Sequence, residues 1–168
     1  FRDQYDGQWR KGGEMRPATH LAESTALIIG VGGIGGATAV HCHHFGMRVV
    51  GVDPRVGEAP EGVDVLHRPD ALIGLLPQAD FVILTAPQTP STEGMFTSSL
   101  FGQMKPSAFV INIGRGSNVA LSDLDAALRE GTIAGAALDV FETEPLPAEH
   151  PLWTAPNFLM TPHTAAAG

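Results

Sequence analysis

The sequence predicts an α/β domain built on a doubly wound parallel sheet, and three observations lead to this fold class. Short runs rich in Val, Ile and Ala alternate along the chain with amphipathic segments. The first run ends in the glycine-rich stretch GVGGIGG at 30–36, and the second run ends at an acidic residue, Asp53. Unbroken apolar runs are typical of parallel strands buried on both faces, and their alternation with helices is typical of a sheet covered on both sides.

The elements follow one another in a regular order from Thr25. Apolar runs predict strands, and amphipathic periodicity predicts the helices between them. The predicted strands are 26–31, 47–53, 64–67, 80–86, 108–114 and 133–141, and the predicted helices are 34–45, 69–76, 98–105 and 122–131. A Pro-rich connection at 143–156 leads to a last segment, FLMTPH at 158–163.

The first and the last of these helices carry more detailed expectations. In the helix at 122–131, Ser122 is the expected N-cap and Gly131 is the glycine expected directly after the last turn. The helix at 34–45 is expected to bury an apolar face. That face is formed by Ile34, Ala37, Val40 and Phe45.

Composition excludes several classes of function. The 168 residues, 43% of them hydrophobic, suit one globular domain of ordinary size. Ten Lys and Arg against 18 Asp and Glu give a net charge of −8, and such a surface repels the phosphates of nucleic acids. Because no apolar run approaches the roughly 18 residues of a membrane span, no membrane partner is expected. The single cysteine, Cys42, cannot form an internal disulfide, which favours a reducing, cytoplasmic compartment.

The glycine-rich stretch fits the G-x-G-x-x-G pattern of a dinucleotide-binding turn. Gly30 permits the tight turn, Gly32 lets the backbone approach a pyrophosphate, and Gly35 lets the helix pack closely on the strand. Asp53, 18 residues beyond Gly35, can accept hydrogen bonds from a ribose 2′-hydroxyl and would repel a 2′-phosphate. NAD is therefore the expected cofactor, with NADP less favoured, although Arg55 partly offsets the repulsion. The alternative is a strand–helix turn that binds nothing.

Domain organisation follows from the change of pattern at Thr25. Residues 1–24 are polar and weakly periodic, which indicates a linker or an entering helix, and residues 25–168 form the predicted dinucleotide-binding domain. The chain begins at Phe1 rather than Met and stops directly after a segment that opens another element. We therefore expect a fragment of a longer protein, and we expect the substrate domain to be absent from this chain.

Four later residues indicate where chemistry takes place. Arg115 lies in NIGRG, Asp139 and Glu144 lie in LDVFETEP, and His163 lies in TPHTA. Open α/β sheets bind ligands at the carboxyl ends of their strands, where an arginine can hold a substrate carboxylate bidentately. A carboxylate beside a histidine stabilises the imidazolium, so Glu144 and His163 suit proton transfer. From the residues alone, a purely structural role explains three of them equally well. Arg115 could form a surface ion pair, Glu144 could be a loop residue, and His163 could start a helix.

Several segments of the sequence, taken together, resemble those of a known enzyme family. The stretches GVGGIGG…VVGVDP, LTAPQTPSTEGMF, MKPSAFVINIGRG, LDVFETEPLP and HPLW…PNFLMTPHTA resemble the NAD-binding domain of the D-isomer-specific 2-hydroxyacid dehydrogenases over roughly residues 20–168. The resemblance implies a Rossmann-type fold and the interconversion of small 2-oxo acids and (R)-2-hydroxy acids with NAD(H). It also implies a homodimer.

The resemblance further implies roles for individual residues. Arg115 corresponds to the arginine that binds the substrate carboxylate, His163 to the general acid and base, and Glu144 to the acid that orients it. Related formate dehydrogenases have Gln at the position of Glu144, so a glutamate favours 2-hydroxy acid chemistry. Thr85 departs from the family, in which many members have His at that position. Further positions implied to contact the cofactor are Gly33, Ile34, Pro87, Thr92, Ile113, Gly114 and, near the nicotinamide carboxamide, Asp139.

A binding protein without catalysis is the alternative interpretation. A dinucleotide sensor or a corepressor-like module on the same fold needs the glycine turn but does not need Arg115, Glu144 and His163 together. A third possibility is a cofactor domain that binds NAD and performs no chemistry. The stretch HCHH at 41–44 is interpreted as surface or packing histidines, so no metal site is predicted.

Overall fold

Seven strands and their connecting helices make up the computed structural model, which describes residues 7–9, 19–55 and 57–165. The strands are β1 (Thr25–Ile29), β2 (Arg48–Val52), β3 (Val65–His67), β4 (Phe81–Leu84), β5 (Phe109–Asn112), β6 (Gly135–Leu138) and β7 (Phe158–Met160). The α-helices are α1 (Gly33–His44), α2 (Leu72–Leu75), α3 (Ser98–Phe101) and α4 (Leu121–Glu130). Short 3-10 helices occupy Leu21–Glu23, Pro69–Ala71, Leu76–Gln78, Gly116–Asn118 and Pro151–Thr154.

All the strand pairs are parallel, and the sheet order is β3-β2-β1-β4-β5-β6-β7. Along β1, Ala26 and Ile28 belong to one buried cluster, whereas Leu27 and Ile29 belong to another. Because successive side chains of a strand point to opposite faces, the sheet is buried on both sides. This arrangement explains the unbroken apolar runs and confirms the predicted doubly wound α/β fold.

Five of the six predicted strands are shorter at their carboxyl ends than the apolar pattern predicts, and only β3 ends where it is expected. The run at 108–114 gives a strand that ends at Asn112, and the run at 133–141 gives one that ends at Leu138. The residues beyond these ends leave the hydrogen-bonded ladder and form loops. Since all the strands are parallel, these loops gather at one edge of the sheet, which we call the carboxyl edge. The segment at 158–163, for which the sequence predicts no particular element, contains the edge strand β7.

The predicted apolar face of the first helix is wrong. In α1 the buried residues are Gly35 and Ala39, whereas Ile34 is 55% exposed and Phe45 is 64% exposed. The physical reason is the short distance between helix and sheet. A Cβ added at Gly35 would lie 1.9 Å from the Gly30 carbonyl oxygen, so only very small side chains fit on the buried face.

The predicted N-cap of the last helix is also wrong, while its predicted end is confirmed. Helix α4 begins at Leu121, so that Ala120 is the N-cap residue and Ser122 lies inside the first turn. The sequence predicts Ser122 as the N-cap because its hydroxyl can accept a hydrogen bond from the first turn, but the helical backbone already begins at Leu121. Gly131 follows the helix with a φ of 72°, in the left-handed conformation that glycine adopts without cost.

Most of the linker or entering helix predicted for residues 1–24 lies outside the described residues. Within its described part, Leu21–Glu23 forms a 3-10 helix directly before β1. In the portion of the chain that the structure describes, no helix combines the length and the apolar character that crossing a membrane requires.

Candidate functional site

The turn between β1 and α1 leaves space for a ligand beside its backbone. Gly30 has a φ of 92°, and a Cβ on it would lie 2.8 Å from the backbone of Ala86, so this position requires glycine. A Cβ on Gly33, by contrast, would meet nothing within 4 Å. No side chain caps the N-terminus of α1, and the exposed Ile34 borders it. The turn thus combines free N–H groups with open space, which fits the pyrophosphate of a dinucleotide.

Asp53 directly follows β2 and is only 3% exposed. Its Oδ1 accepts hydrogen bonds from the Arg55 backbone N–H at 2.9 Å and from Arg55 Nε at 3.0 Å. Its Oδ2 accepts from the Val31 N–H at 3.1 Å and from Arg55 Nη2 at 3.2 Å. The Arg55 side chain is the main cause that holds the pKa of Asp53 below its usual value, against the opposing effect of burial. The carboxylate is therefore ionised and fully hydrogen-bonded within its own chain.

Arg55 lies beside Asp53, the residue that the sequence predicts to bind a ribose 2′-hydroxyl. Its side chain is 78% exposed although it pairs with the buried Asp53. A Cβ on Gly32 would lie 3.6 Å from Arg55 Nη2, so the guanidinium also borders the glycine turn. Gly32, Asp53, Arg55 and Glu58 line a cavity of about 240 Å³. This cavity is separate from one of about 320 Å³ on another part of the carboxyl edge. A charged side chain thus borders the residue that the sequence predicts to contact the ribose.

The loops after β4 and β5 carry four further predicted positions. The Thr92 hydroxyl donates to the Pro87 carbonyl at 2.7 Å, which closes the loop after β4 on itself. Ile113 and Gly114 follow β5, and the Gly114 N–H donates to the side chain of the buried Asn112 at 3.1 Å. These residues lie on the carboxyl edge, on the opposite side of β1 from Asp53 in the strand order.

His163 and Glu144 form a direct pair. His163 Nδ1 lies 2.7 Å from Glu144 Oε2, and Glu144 Oε1 accepts a hydrogen bond from the Phe141 N–H at 2.8 Å. These two contacts, the histidine first, hold the pKa of Glu144 below its usual value. With Nδ1 engaged, Nε2 is the ring nitrogen left to exchange a proton with a ligand. The half-exposed ring is accessible for that exchange.

Asp139 holds the segment that carries His163. Its Oδ1 accepts from the Thr161 hydroxyl and from the Thr164 N–H, and its Oδ2 accepts from the Ala165 N–H at 2.9 Å. Burial raises the pKa of Asp139, but these hydrogen bonds together outweigh burial and hold the pKa below its usual value. His163 has a φ of 54°, a conformation that costs energy in a residue other than glycine. The hydrogen bonds around Asp139 maintain this conformation.

Arg115 reaches the same cavity as the histidine pair. A cavity of about 320 Å³ on the carboxyl edge is lined by Arg115, Glu144 and His163, with Gln88 and Glu93 at its border. The Arg115 side chain is exposed, and its Nη1 donates to the Gly114 carbonyl at 2.7 Å. Its remaining N–H groups can bind an anion in the cavity. The three residues that the sequence singled out for catalysis are therefore brought together.

Two contacts at this edge were not foreseen from the sequence. The Thr85 hydroxyl donates to the Gly30 carbonyl, so the threonine at the family's common histidine position ties the end of β4 to the glycine turn. The sequence predicts that Asp139 contacts the cofactor, and the structure shows in addition that it anchors the His163 segment. No local pattern signals that contact, because its donors lie 22 to 26 residues further along the chain. Among the described residues, no group of three or more His, Cys, Asp or Glu side chains could hold a metal ion.

Known sequences resemble this chain closely. A family profile described as "D-isomer specific 2-hydroxyacid dehydrogenase, NAD binding domain" matches residues 2–165. The human glyoxylate reductase/hydroxypyruvate reductase is 41% identical over 151 residues, which are 88% of this chain and 45% of the human protein. Glyoxylate/hydroxypyruvate reductase B of Yersinia pestis is 40% identical over 163 residues, which are 96% of this chain and 50% of that protein. The chain thus spans about half the length of the curated relatives it matches.

Solved structures give the same result, and they place the chain in a family. A D-isomer specific 2-hydroxyacid dehydrogenase family protein from Aeromonas salmonicida superposes with a TM-score of 0.87 at 41% identity, covering 96% of this chain and 51% of that one. A D-isomer specific 2-hydroxyacid dehydrogenase from Xanthobacter autotrophicus, solved with NADPH and MES, gives a TM-score of 0.86 at 39% identity, covering 96% and 50%. From the profile match, the shared fold and these identities, it follows that the chain belongs to the D-isomer specific 2-hydroxyacid dehydrogenase family, within its NAD-binding domain.

Proposed function

We propose that this chain is the cofactor-binding half of an enzyme that interconverts a small 2-oxo acid and an (R)-2-hydroxy acid. The observation that carries the proposal is the His163–Glu144 pair, at 2.7 Å, in one cavity with Arg115 on the carboxyl edge. A sensor on the same fold has no need for a proton donor, a carboxylate partner and an anion-binding group around one cavity. The names of the relatives favour glyoxylate or hydroxypyruvate as the substrate.

Each of the three residues has a defined task in the proposed reaction. Arg115 binds the carboxylate of the 2-oxo acid and so fixes the orientation of the neighbouring carbonyl. Protonated His163 donates from Nε2 to the carbonyl oxygen as negative charge develops there. Glu144 holds the ring through Nδ1 and stabilises the imidazolium. In the oxidising direction, neutral His163 accepts the hydroxyl proton of the 2-hydroxy acid.

The residues that would hold the cofactor are those of the glycine turn and the loops after β2, β4 and β5. NADH or NADPH, when bound, supplies the hydride that reduces the carbonyl carbon. The turn offers N–H groups to the pyrophosphate, and Asp53 offers a carboxylate to the ribose once the exposed Arg55 side chain releases it. Because Arg55 pairs with Asp53, the site presents groups for both a 2′-hydroxyl and a 2′-phosphate. We propose that it accepts NADH and, less strongly, NADPH.

Replacement of the histidine tests the catalytic proposal. In the longest natural protein that contains this sequence, we expect His163→Ala to lower kcat for glyoxylate reduction by on the order of 100-fold, the usual size of an acid–base contribution. The measurement is NADH oxidation followed by absorbance, with chemistry shown to limit the rate. The exposed His20, which lies before β1, provides the control His20→Ala, for which we expect an unchanged kcat.

The outcomes separate the proposed enzyme from its alternatives. An unchanged kcat in His163→Ala would remove this histidine from the mechanism. Binding of NADH to the wild-type protein without turnover of any 2-oxo acid would favour the sensor. The homodimer and the cytoplasmic location stay predictions, and light scattering coupled to size-exclusion chromatography measures the first of them.

A further inference from the structure

One glycine on the carboxyl edge touches another loop more closely than any side chain would allow. An added Cβ on Gly116 would lie 1.9 Å from the carbonyl carbon of Phe141, 2.1 Å from its oxygen and 2.4 Å from the Glu142 nitrogen. All three atoms belong to the backbone, so no rotation of a side chain relieves the overlap. The backbone of the loop after β5 therefore packs directly against the Phe141–Glu142 peptide after β6.

Backbone conformation gives no reason for a glycine at this position. The φ of Gly116 lies outside the left-handed region, unlike that of Gly30 or Gly131. Gly116 begins a 3-10 helix, Gly116–Asn118, a conformation that other residues adopt readily. What the position requires is the absence of a Cβ, and the requirement comes entirely from the neighbouring loop.

The two loops that meet at Gly116 carry the separate halves of the proposed active site. Arg115 immediately precedes the glycine, and it supplies the anion-binding group. On the other side, the Phe141 N–H donates to Glu144 Oε1 at 2.8 Å, and Glu144 Oε2 holds His163. The peptide that Gly116 touches therefore lies beside the hydrogen bond that orients the glutamate.

We propose that Gly116 is a positioning residue, which fixes the separation between Arg115 and the Glu144–His163 pair through backbone contact. This inference rests on the proposed function, since it assumes that the two groups act on one substrate. A Cβ at this position would displace the Phe141–Glu142 peptide, and with it the Phe141 N–H that donates a hydrogen bond to Glu144. The arginine and the acid–base pair would then no longer face the cavity at the distance that the wild-type loops impose.

The test measures the ionisation of Glu144 in this chain and does not depend on turnover. The side-chain carboxyl carbons of glutamate are labelled with 13C and titrated by NMR, and Glu144→Gln identifies the Glu144 signal. In Gly116→Ala we expect the titration midpoint of Glu144 to move upward from its wild-type position, because the glutamate loses its Phe141 donor and its alignment with His163. His163 and Asp139 are the titratable neighbours that act on this carboxylate.

Two control variants separate positioning from loss of stability. A Cβ on Gly74, within α2, would meet nothing within 4 Å, so Gly74→Ala should not lower stability and should leave the Glu144 midpoint unchanged. A Cβ on Gly135 would lie 2.7 Å from the Asn157 oxygen, at the far end of β6 from the site. Gly135→Ala should therefore lose stability while it keeps the wild-type midpoint. A midpoint in Gly116→Ala equal to that in Gly135→Ala overturns the proposal.

A second measurement decides the question if Gly116→Ala does not fold. In the wild-type chain, the amide signals of Arg115, Gly116 and Ser117 should shift with the same midpoint as Glu144, because the two loops are in contact. Amides that stay constant through that titration overturn the positioning role. A Glu144 midpoint at the ordinary value in the wild-type chain would overturn both this inference and the pair on which the proposed function depends. Failure of turnover alone, with the titration shift present, would count only against the proposed function.

Discussion

At the scale of single residues, buried or half-buried carboxylates organise the carboxyl edge. Asp53 holds Arg55 and the start of the glycine turn, Asp139 holds the segment of His163, and Glu144 holds the ring itself. Each accepts hydrogen bonds from backbone N–H groups as well as from side chains. The backbone around the site is thereby fixed before any ligand arrives, which reduces the ordering that binding would otherwise require.

The Asp53–Arg55 pair predicts how cofactor preference responds to mutation. In Arg55→Ala, the carboxylate becomes available to a ribose diol while a 2′-phosphate loses its cationic partner. We expect the ratio of the NADPH to the NADH dissociation constant to rise by on the order of 10-fold, which corresponds to about 1.4 kcal/mol. Fluorescence titration of this chain with each cofactor measures the ratio.

A matched control for this experiment lies on the same strand. Arg48 begins β2 and is exposed at the opposite end from Asp53, so Arg48→Ala should leave the ratio unchanged. An equal ratio in wild type and Arg55→Ala would mean that Arg55 takes no part in the choice of cofactor.

At the scale of elements, sequence patterns locate most strands and helices but not their packing. The runs around β1, β2, β4, β5 and β6 were identified because burial on both faces leaves an unbroken apolar signal. The buried face of α1 was missed, since periodicity favours large apolar residues whereas the close helix–sheet contact at Gly35 admits only small ones. The Glu144–His163 contact was expected from the family resemblance. The Gly116–Phe141 contact joins backbones distant in sequence, and no pattern of residue types reveals it.

Helix α4 offers a prediction that belongs to a whole element. Its N-cap residue, Ala120, has extended backbone angles but no side-chain acceptor for the first N–H groups. Ala120→Ser supplies that acceptor, and we expect the free energy of unfolding to rise by roughly 0.5–2 kcal/mol. Urea denaturation followed by circular dichroism measures the change. Ser122→Ala is the control, and a loss of about 1 kcal/mol in that variant would show that Ser122 caps the helix after all.

At the scale of the whole molecule, the parallel sheet places chemically distinct groups from separate parts of the chain on one edge. The order β3-β2-β1-β4-β5-β6-β7 puts the glycine turn near the middle of the sheet, with Asp53 on one side and Arg115, Asp139 and Glu144 on the other. Ligands of open α/β sheets bind at the point where the strand order reverses, which here lies between β1 and β4. The architecture alone therefore directs a ligand toward both halves of the proposed site.

The same concentration of ionised carboxylates predicts that acid destabilises the domain. Asp53, Asp139 and Glu144 all have pKa values below their usual range, so each stabilises the fold above its unfolded-state pKa, about 3.9 for Asp and 4.3 for Glu. That stability is lost as the pH falls through the lower folded-state values. The net charge is −8 at pH 7, but because the pI is about 5.2 the chain becomes positively charged below that pH, so long-range repulsion also grows as the pH falls. About 0.5 M salt screens this repulsion and leaves the short hydrogen bonds intact.

In such salt, we expect the free energy of unfolding from urea titrations to fall steadily between about pH 5 and pH 2. Asp139→Asn should be less stable than wild type at pH 7 by roughly 1–3 kcal/mol, because the amide cannot accept from all three donors of Asp139. The difference should shrink toward pH 2, where Asp139 is itself protonated. Asp70→Asn, which alters an exposed carboxylate before α2, is the control and should follow the wild-type curve. Stability that stays constant or rises from pH 5 to pH 3 in this salt would show that the hydrogen-bonded carboxylates of the carboxyl edge do not govern the response of this domain to acid.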